Sequence, residues 1–232
     1  MKIYVGTSGW SYSWNPNGFD WYVKNSKLNS VELNSSFYRY PFKTYVMSWA
    51  KKGKELRWAV KVNRLVTHVY KFSKKAYERW KSFKKLFEPL DEITDFYLFQ
   101  IPPSTTPKSL DKIEKFIEKT NLGERFALEV RNEEWFKKEY IRWAKKLGIT
   151  WVSIDAPKFS REIYKTSKSI YLRMHGRTSW YSHNYSKSQL NEIAEKIKKK
   201  KARKCYVYFN NNHNMLKNAR EFKKILEKIY DE

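Results

Sequence analysis

Residues 126–155, FALEVRNEEWFKKEYIRWAKKLGITWVSID, hold the pattern that decides the fold. The stretch opens on an apolar run, Phe126–Arg131, and closes on another, Thr150–Asp155. Between them Glu133–Leu147 alternates apolar and charged residues at helical spacing. Gly148, directly after Leu147, fits a helix stop. Strand, helix, strand is the repeating unit of a parallel α/β fold. Outward in both directions the same unit recurs. Further strand-like runs are Lys2–Gly6, Ser30–Asn34, Arg57–Asn63, Phe96–Ile101, Ser169–His175 and Lys204–Asn210. They are short, rich in Val, Ile, Phe and Tyr, and almost continuously apolar, as strands covered on both faces should be. Helical patterns fill most gaps: Thr44–Lys52, Ser73–Phe87, Pro107–Lys119, Ser186–Lys200 and Asn214–Tyr230. Two units are irregular. Only Phe19–Lys24 offers a short helix after the first strand, and Ala156–Lys168 offers none after the sixth. Eight such units in 232 residues suit one closed (β/α)8 barrel of the TIM type better than an open doubly wound sheet. No linker or low-complexity tract divides residues 1–232, so one domain is expected.

Composition sets the outer limits. Hydrophobic residues make up 41% and charged residues 31% of the chain, which fits a folded globular protein. No apolar stretch reaches the ~18 residues of a membrane span, and MKIYVGTSGW reads as a first strand, not a signal peptide. A cytoplasmic location is the default expectation. The single cysteine, Cys205, lies inside the last strand-like run with no activating group beside it. The net charge of +24 favours phosphate-bearing ligands or nucleic acid as partners. Lys-rich helix surfaces of a thermophile would give the same figure.

In barrels of this kind chemistry gathers where strands end and the following loops begin. Side chains at i and i+2 of a strand share a face. Glu32 with Asn34, Lys61 with Asn63, Glu129 with Arg131, and Arg173 with His175 therefore point the same way in pairs. Ser8, Gln100, Asp155, Asn210 and Asn211 stand at the ends of the other strands. If the shared face is the interior, one mouth collects Glu32, Lys61, Glu129, Asp155 and His175 as candidate catalytic groups. Charges buried singly there would cost several kcal/mol each, so they must pair or meet a ligand. Ser8, Trp10, Asn34, Tyr38, Gln100, Arg131, Arg173, Arg177, Trp180, Asn210 and Asn211 are the candidate ligand contacts. Aromatic residues are 18% of the chain, ten of them Trp. Rings beside Arg suit flat ligands or sugar faces, although each ring could equally be core packing.

Several motifs also carry a family resemblance. Gly6-Thr7-Ser8-Gly9-Trp10-Ser11-Tyr12, Val31-Glu32-Leu33-Asn34-Ser35-Ser36-Phe37-Tyr38-Arg39, Phe99-Gln100-Ile101-Pro102-Pro103-Ser104, Glu129-Val130-Arg131-Asn132-Glu133-Glu134-Trp135-Phe136 and Tyr171-Leu172-Arg173-Met174-His175-Gly176-Arg177 are similar to the YecE-like family, in order and nearly end to end. The resemblance implies a TIM-type barrel. It supplies no reaction, the family being classed as a domain of unknown function. Two positions depart from its pattern: Asn132 stands where such sequences usually have His, and Asn212 where they usually have Asp. A general acid or base at either place would be missing here.

Three functions compete. A phosphoester hydrolase on nucleic acid or nucleotides would hold phosphate with Arg131, Arg173, Arg177 and Lys61, orient water with Glu32, Glu129 or Asp155, and protonate through His175. A divalent metal on the same carboxylates is a variant of this scheme, although no metal motif of fixed spacing is present. A non-catalytic nucleic-acid binder would track the backbone with basic helices and stack bases on loop aromatics. A sugar or sugar-phosphate enzyme would use Glu32 and Glu129 as acid and base. No nicotinamide or flavin signature, phosphate-binding loop, zinc spacing or nucleophile elbow appears.

Overall fold

The computed structural model describes residues 1–231. Its strands are β1 (Lys2–Thr7), β2 (Ser30–Leu33), β3 (Arg57–Lys61), β4 (Thr94–Gln100), β5 (Phe126–Glu129), β6 (Thr150–Asp155), β7 (Ser169–Met174) and β8 (Lys204–Phe209). The helices between them are α1 (Gly18–Asn25), α2 (Lys43–Lys52), α3 (Lys74–Leu86), α4 (Leu110–Thr120), α5 (Lys138–Lys146), α6 (Lys187–Lys199) and α7 (Met215–Asp231). All neighbouring strands pair in parallel, in the spatial order β1-β8-β7-β6-β5-β4-β3-β2. Eight strands thus form a nearly closed TIM-type barrel surrounded by helices. No helix is long and apolar enough to cross a membrane among the described residues.

The sequence patterning shows where expectation and fold part. Strands end one to two residues earlier than the apolar runs suggest at β2, β3, β4, β5, β7 and β8, although single backbone bonds such as His175 N to the Asp155 carbonyl at 2.8 Å and Asn210 N to the Met174 carbonyl at 2.9 Å run past the ends. The helical pattern of Glu133–Leu147 splits. Asn132 accepts a hydrogen bond from the Glu134 amide and starts a short 3-10 turn, and α5 begins only at Lys138. The β6–β7 connection carries no helix, and the first unit carries only the short α1.

The ring closes at a seam without a ladder. Between β1 and β2 the only backbone pairing is an isolated bridge, Ser8 to Glu32. Side chains stand in for the missing bonds. Asn29 accepts from the Val5 amide at 2.9 Å and donates to the Ile3 carbonyl at 2.8 Å. The buried Tyr22 hydroxyl accepts from the Thr7 amide at 3.2 Å and donates to the Ser30 carbonyl at 2.8 Å. Gly6 is required here, since a Cβ on it would lie 2.3 Å from the Ser30 oxygen.

Two apolar layers flank the sheet. Outside, Trp58, Trp80, Phe83, Trp135 and Trp151 are buried between strands and helices. Inside, Ala59, Phe96, Leu98, Ala127, Val152, Ile154, Tyr171, Tyr206 and Tyr208 fill the barrel. Tyr4 stacks on Tyr206 with centroids 4.7 Å apart. Phe96 meets Tyr171 and Tyr206 at 5.0 and 4.8 Å. This aromatic floor supports everything above it. Cys205 faces the outer layer, and burial alone pushes its thiol upward, which marks it as an inert packing residue.

Candidate active site at the barrel mouth

Above the floor the inward positions turn charged. Arg173, following Tyr171 by two residues, sits at the centre of the cup. Its Nε donates to Glu32 Oε2 at 2.9 Å, its Nη2 to Glu32 Oε1 at 2.6 Å and its Nη1 to Glu129 Oε2 at 2.6 Å. Glu32 also accepts from Ser8 Oγ at 2.6 Å and from the Tyr171 hydroxyl at 2.5 Å. Glu129 holds the Nε of Arg131 as well. Arg131 Nη2 donates to His175 Nε2 at 3.1 Å, and Asn210 meets His175 Nδ1 at 3.3 Å. These side chains are almost wholly buried, so their charges persist only because they are paired.

The environment sets each protonation state. Burial drives the Glu129 carboxyl upward, but Arg131 and Arg173 outweigh it and hold the group at about 2. Burial, with Arg131, Arg173 and Lys61 around it, pushes His175 well below its ordinary range, so it is neutral. Lys61, the last residue of β3, shares the interior face with Ala59. Its ammonium lies 4.1 Å from the centroid of Phe37 and has neither a hydrogen bond nor an ion pair among the described residues. Burial lowers it to about 7, with Arg173 adding to the effect and Glu129 and Glu32 opposing it.

A loop covers part of the mouth. Gly176 turns the chain at a φ of 114° where a Cβ would lie 2.5 Å from the Ser179 carbonyl. The Tyr181 amide bonds back to the His175 carbonyl at 2.8 Å. Trp180 thereby lies over Arg131, 4.6 Å from its guanidinium carbon, and 5.2 Å from the His175 ring. Beside the cup a cleft of about 260 Å³ is lined by Ser8, Gly9, Trp10, Tyr12, Asn34 and Tyr38 among others.

Of the candidates from the sequence, Glu32, Lys61, Glu129, His175, Ser8, Arg131, Arg173, Trp180 and Asn210 come together. Asn34 and Tyr38 line the adjoining cleft, Tyr38 with its ring exposed. Gln100 pairs in register with Glu129 at the rim. Trp10 touches the cleft but is mainly core, packed on Phe19, Trp49 and Trp58. Three residues lie elsewhere. Asp155 is on the opposite pleat of β6 from Val152 and Ile154, and bonds Arg177 at 3.1 Å and the Tyr185 hydroxyl at 2.9 Å. Arg177 continues to Glu192 at 2.8 Å. Asn211 donates to the His183 carbonyl and to Asn218, each at 2.8 Å. They brace the loops outside the cup. Sequence reasoning did not single out Tyr171 or His68. Tyr171 was readable as the residue two before Arg173. His68, 5.0 Å from Phe37, sits on a π-helical turn (Leu65–Val69) with no signal in the sequence. Asn132 and Asn212 serve the backbone, the first as a turn cap and the second in a left-handed conformation with φ 52° that Asn tolerates.

A nearly closed parallel barrel with its charged, buried cluster at the C-terminal strand ends defines a TIM-type barrel protein with a polar mouth. Within that class the chain belongs to the family described as "Protein of unknown function DUF72", which matches residues 4–232 and is the YecE-like family of the motifs above. A DUF72 family protein from Thermotoga maritima MSB8 shares 28% identity, with a TM-score of 0.85 over 98% of this chain and 100% of that one. Another, from Enterococcus faecalis V583, shares 21% identity, with a TM-score of 0.83 over 97% and 95%. A D-psicose 3-epimerase crystallised in the presence of D-fructose shares 10%, with a TM-score of 0.56 over 100% and 97%, a likeness of fold alone. No curated protein matches.

Proposed function

We propose that the mouth is the active site of an enzyme acting on a small phosphorylated, hydroxyl-rich compound of the sugar-phosphate class. One observation carries this reading: the cup holds more cation than carboxylate. Arg131, Arg173 and Lys61 face only Glu32 and Glu129, and the excess is concentrated on Arg131 Nη1 and Lys61 Nζ, which have no partner among the described residues. An anionic group would supply counter-charge through Arg131 Nη1, while Lys61, held at about 7, carries its charge in only part of the molecules near neutrality. The polar edges of Ser8, Asn34 and Tyr12 beside it suit hydroxyl groups.

Phosphoester hydrolysis has less support. It needs a proton donor, and His175 is neutral. It needs a base or metal ligand, and both carboxylates are bound by Arg173. Among the described residues no three His, Cys, Asp or Glu side chains are grouped as a metal site. Nucleic-acid binding is favoured by a different observation. Tyr38, Phe42 and Tyr45 are exposed by 69%, 73% and 55% beside Arg39 and Lys43.

The test is thermal unfolding with inorganic phosphate, sugar phosphates, and the same sugars without phosphate. A one-site ligand at about 100 times its Kd stabilises by ~2.7 kcal/mol, a rise of roughly 5–10 °C for a chain of this size. The phosphorylated compounds are expected to give a saturable rise that Arg131→Met abolishes. No response to any of them, or an equal response to the unphosphorylated sugars, would reject the reading.

A further inference from the structure

We infer that the Lys61 amine adds to the carbonyl carbon of a phosphorylated aldehyde or ketone at the mouth and forms an imine with it. The inference rests on the proposed sugar-phosphate reading and goes beyond it by naming a carbonyl substrate and a covalent step.

The geometry is that of a nucleophile held ready. Lys61 ends β3 with its stem packed inside the barrel and its nitrogen against the face of Phe37. A structural lysine so placed would be expected to pair with a carboxylate. Here both nearby carboxylates are taken: Glu32 by Arg173, Ser8 and Tyr171, and Glu129 by Arg173 and Arg131. Among the described residues no carboxylate oxygen lies within 4.0 Å of the ammonium.

The groups around it favour the free amine. Burial acts most strongly, Arg173 and Arg131 repel a further cation, and Glu129 and Glu32 only partly oppose them, leaving Lys61 at about 7 instead of 10.5. His68, across Phe37, is itself held down to about 4 by burial, Lys61 and Arg64, and His175 is neutral. Neither supplies a counter-charge. Near neutrality a large share of Lys61 is therefore the nucleophilic form, which desolvation beside other cations is known to produce.

The step balances without a redox partner. The amine lone pair forms a C–N bond while the carbonyl π pair moves to oxygen, which takes a proton from water at the mouth. The nitrogen then returns a proton to that water, the hydroxyl takes one from it and leaves as water while the nitrogen lone pair forms the C=N bond, and the resulting iminium gives up its remaining N–H proton to water. Amine and carbonyl give imine and water.

The experiment uses the full chain with dihydroxyacetone phosphate and sodium cyanoborohydride, which reduces an imine to a stable secondary amine, followed by peptide mass mapping. The adduct is expected on Lys61 at least about tenfold faster than on any surface lysine, with a rate that levels off above about pH 7. Excess inorganic phosphate should suppress it. Lys61→Met and Lys61→Arg should carry no adduct at that peptide, and the comparison with surface lysines within the wild-type chain needs neither variant. Lys61 labelled no faster than surface lysines overturns the inference. If the probe still raises Tm, the anion site survives and the imine alone falls. Equally fast labelling of Lys61 by unphosphorylated glycolaldehyde keeps the imine and removes the phosphate reading.

Discussion

Arg173 is the residue on which the barrel interior depends. It neutralises Glu32 and Glu129 together, so Arg173→Met leaves two buried carboxylates with Arg131 and Lys61 as the remaining cations. Breaking such a pair costs about 3–5 kcal/mol, and the loss should depend on pH. In the native chain Glu129 sits at about 2, below its ordinary 4.5. Its contribution is complete above the ordinary value and disappears as pH falls toward 2. Without Arg173, only Arg131 and Lys61 oppose burial at Glu129, so its carboxyl rises from about 2. The penalty is then full at neutral pH and relieved as Glu129 takes up its proton in acid. The Tm gap between wild type and variant, measured by circular dichroism, is expected to be large at about pH 7 and clearly smaller at about pH 3. A gap that stays constant would mean the residue acts through packing. The spacing of two along each strand was enough to bring Glu32, Lys61, Glu129, Arg131, Arg173 and His175 to one face from sequence. It misplaced Asp155 because on β6 the inward pleat is the apolar one, Val152 and Ile154, and Asp155 shares the outer pleat with Trp151 and Ser153. Arg177 and Asn211 lie past the strand ends, where alternation no longer applies.

At the level of elements, the weakest join is the β1–β2 seam. Asn29→Ala removes two hydrogen bonds and strands the Val5 amide and the Ile3 carbonyl. Leaving such groups unpaired costs about 1–3 kcal/mol each. Gly6→Ala drives a methyl into the Ser30 carbonyl and should be worse, with no rotamer available to relieve the clash. Because Ser8 and Glu32 form the one bridge of this seam, hydrogen exchange should show faster opening of β1 and β2 in both variants while β6–β7–β8 stay protected. Uniform opening of the whole barrel would show that the seam is not a separate weak point. The order of strands and helices could be read from periodicity alone. The seam could not, since Asn29 and Tyr22 act through a contact between segments that no local pattern records. Nor could the break before α5. There Trp135 is pulled into the outer layer and bonds the Thr105 carbonyl at 2.8 Å, so tertiary packing overrides a continuous helical pattern.

For the molecule as a whole, the net charge of +24 does not by itself choose a partner. Part of the lysine excess is spread over helices and tied locally, as in Lys81–Glu78, Lys196–Glu192 and Lys223–Glu227. Composition could announce the charge but could not separate a dispersed surface from a binding face. The fold does distinguish one region. The β2–α2 segment holds the exposed rings of Tyr38, Phe42 and Tyr45 with Arg39 and Lys43, and no acidic residue occurs from Leu33 to Lys54. Rings interleaved with cations are what a single strand needs for stacked bases and a tracked backbone. If this face binds single-stranded RNA or DNA, log affinity should fall with log salt by about 0.7 for each phosphate engaged. Phe42→Ala and Tyr45→Ala should each weaken binding by roughly 1–3 kcal/mol without changing that slope, because stacking carries no counterions. Replacing Arg39 and Lys43 should do the reverse, flattening the slope. Fluorescence anisotropy with a labelled oligonucleotide reads both quantities. Binding that is equally salt-sensitive but indifferent to Phe42 and Tyr45 would assign the affinity to general charge and leave the aromatic face without a role in it.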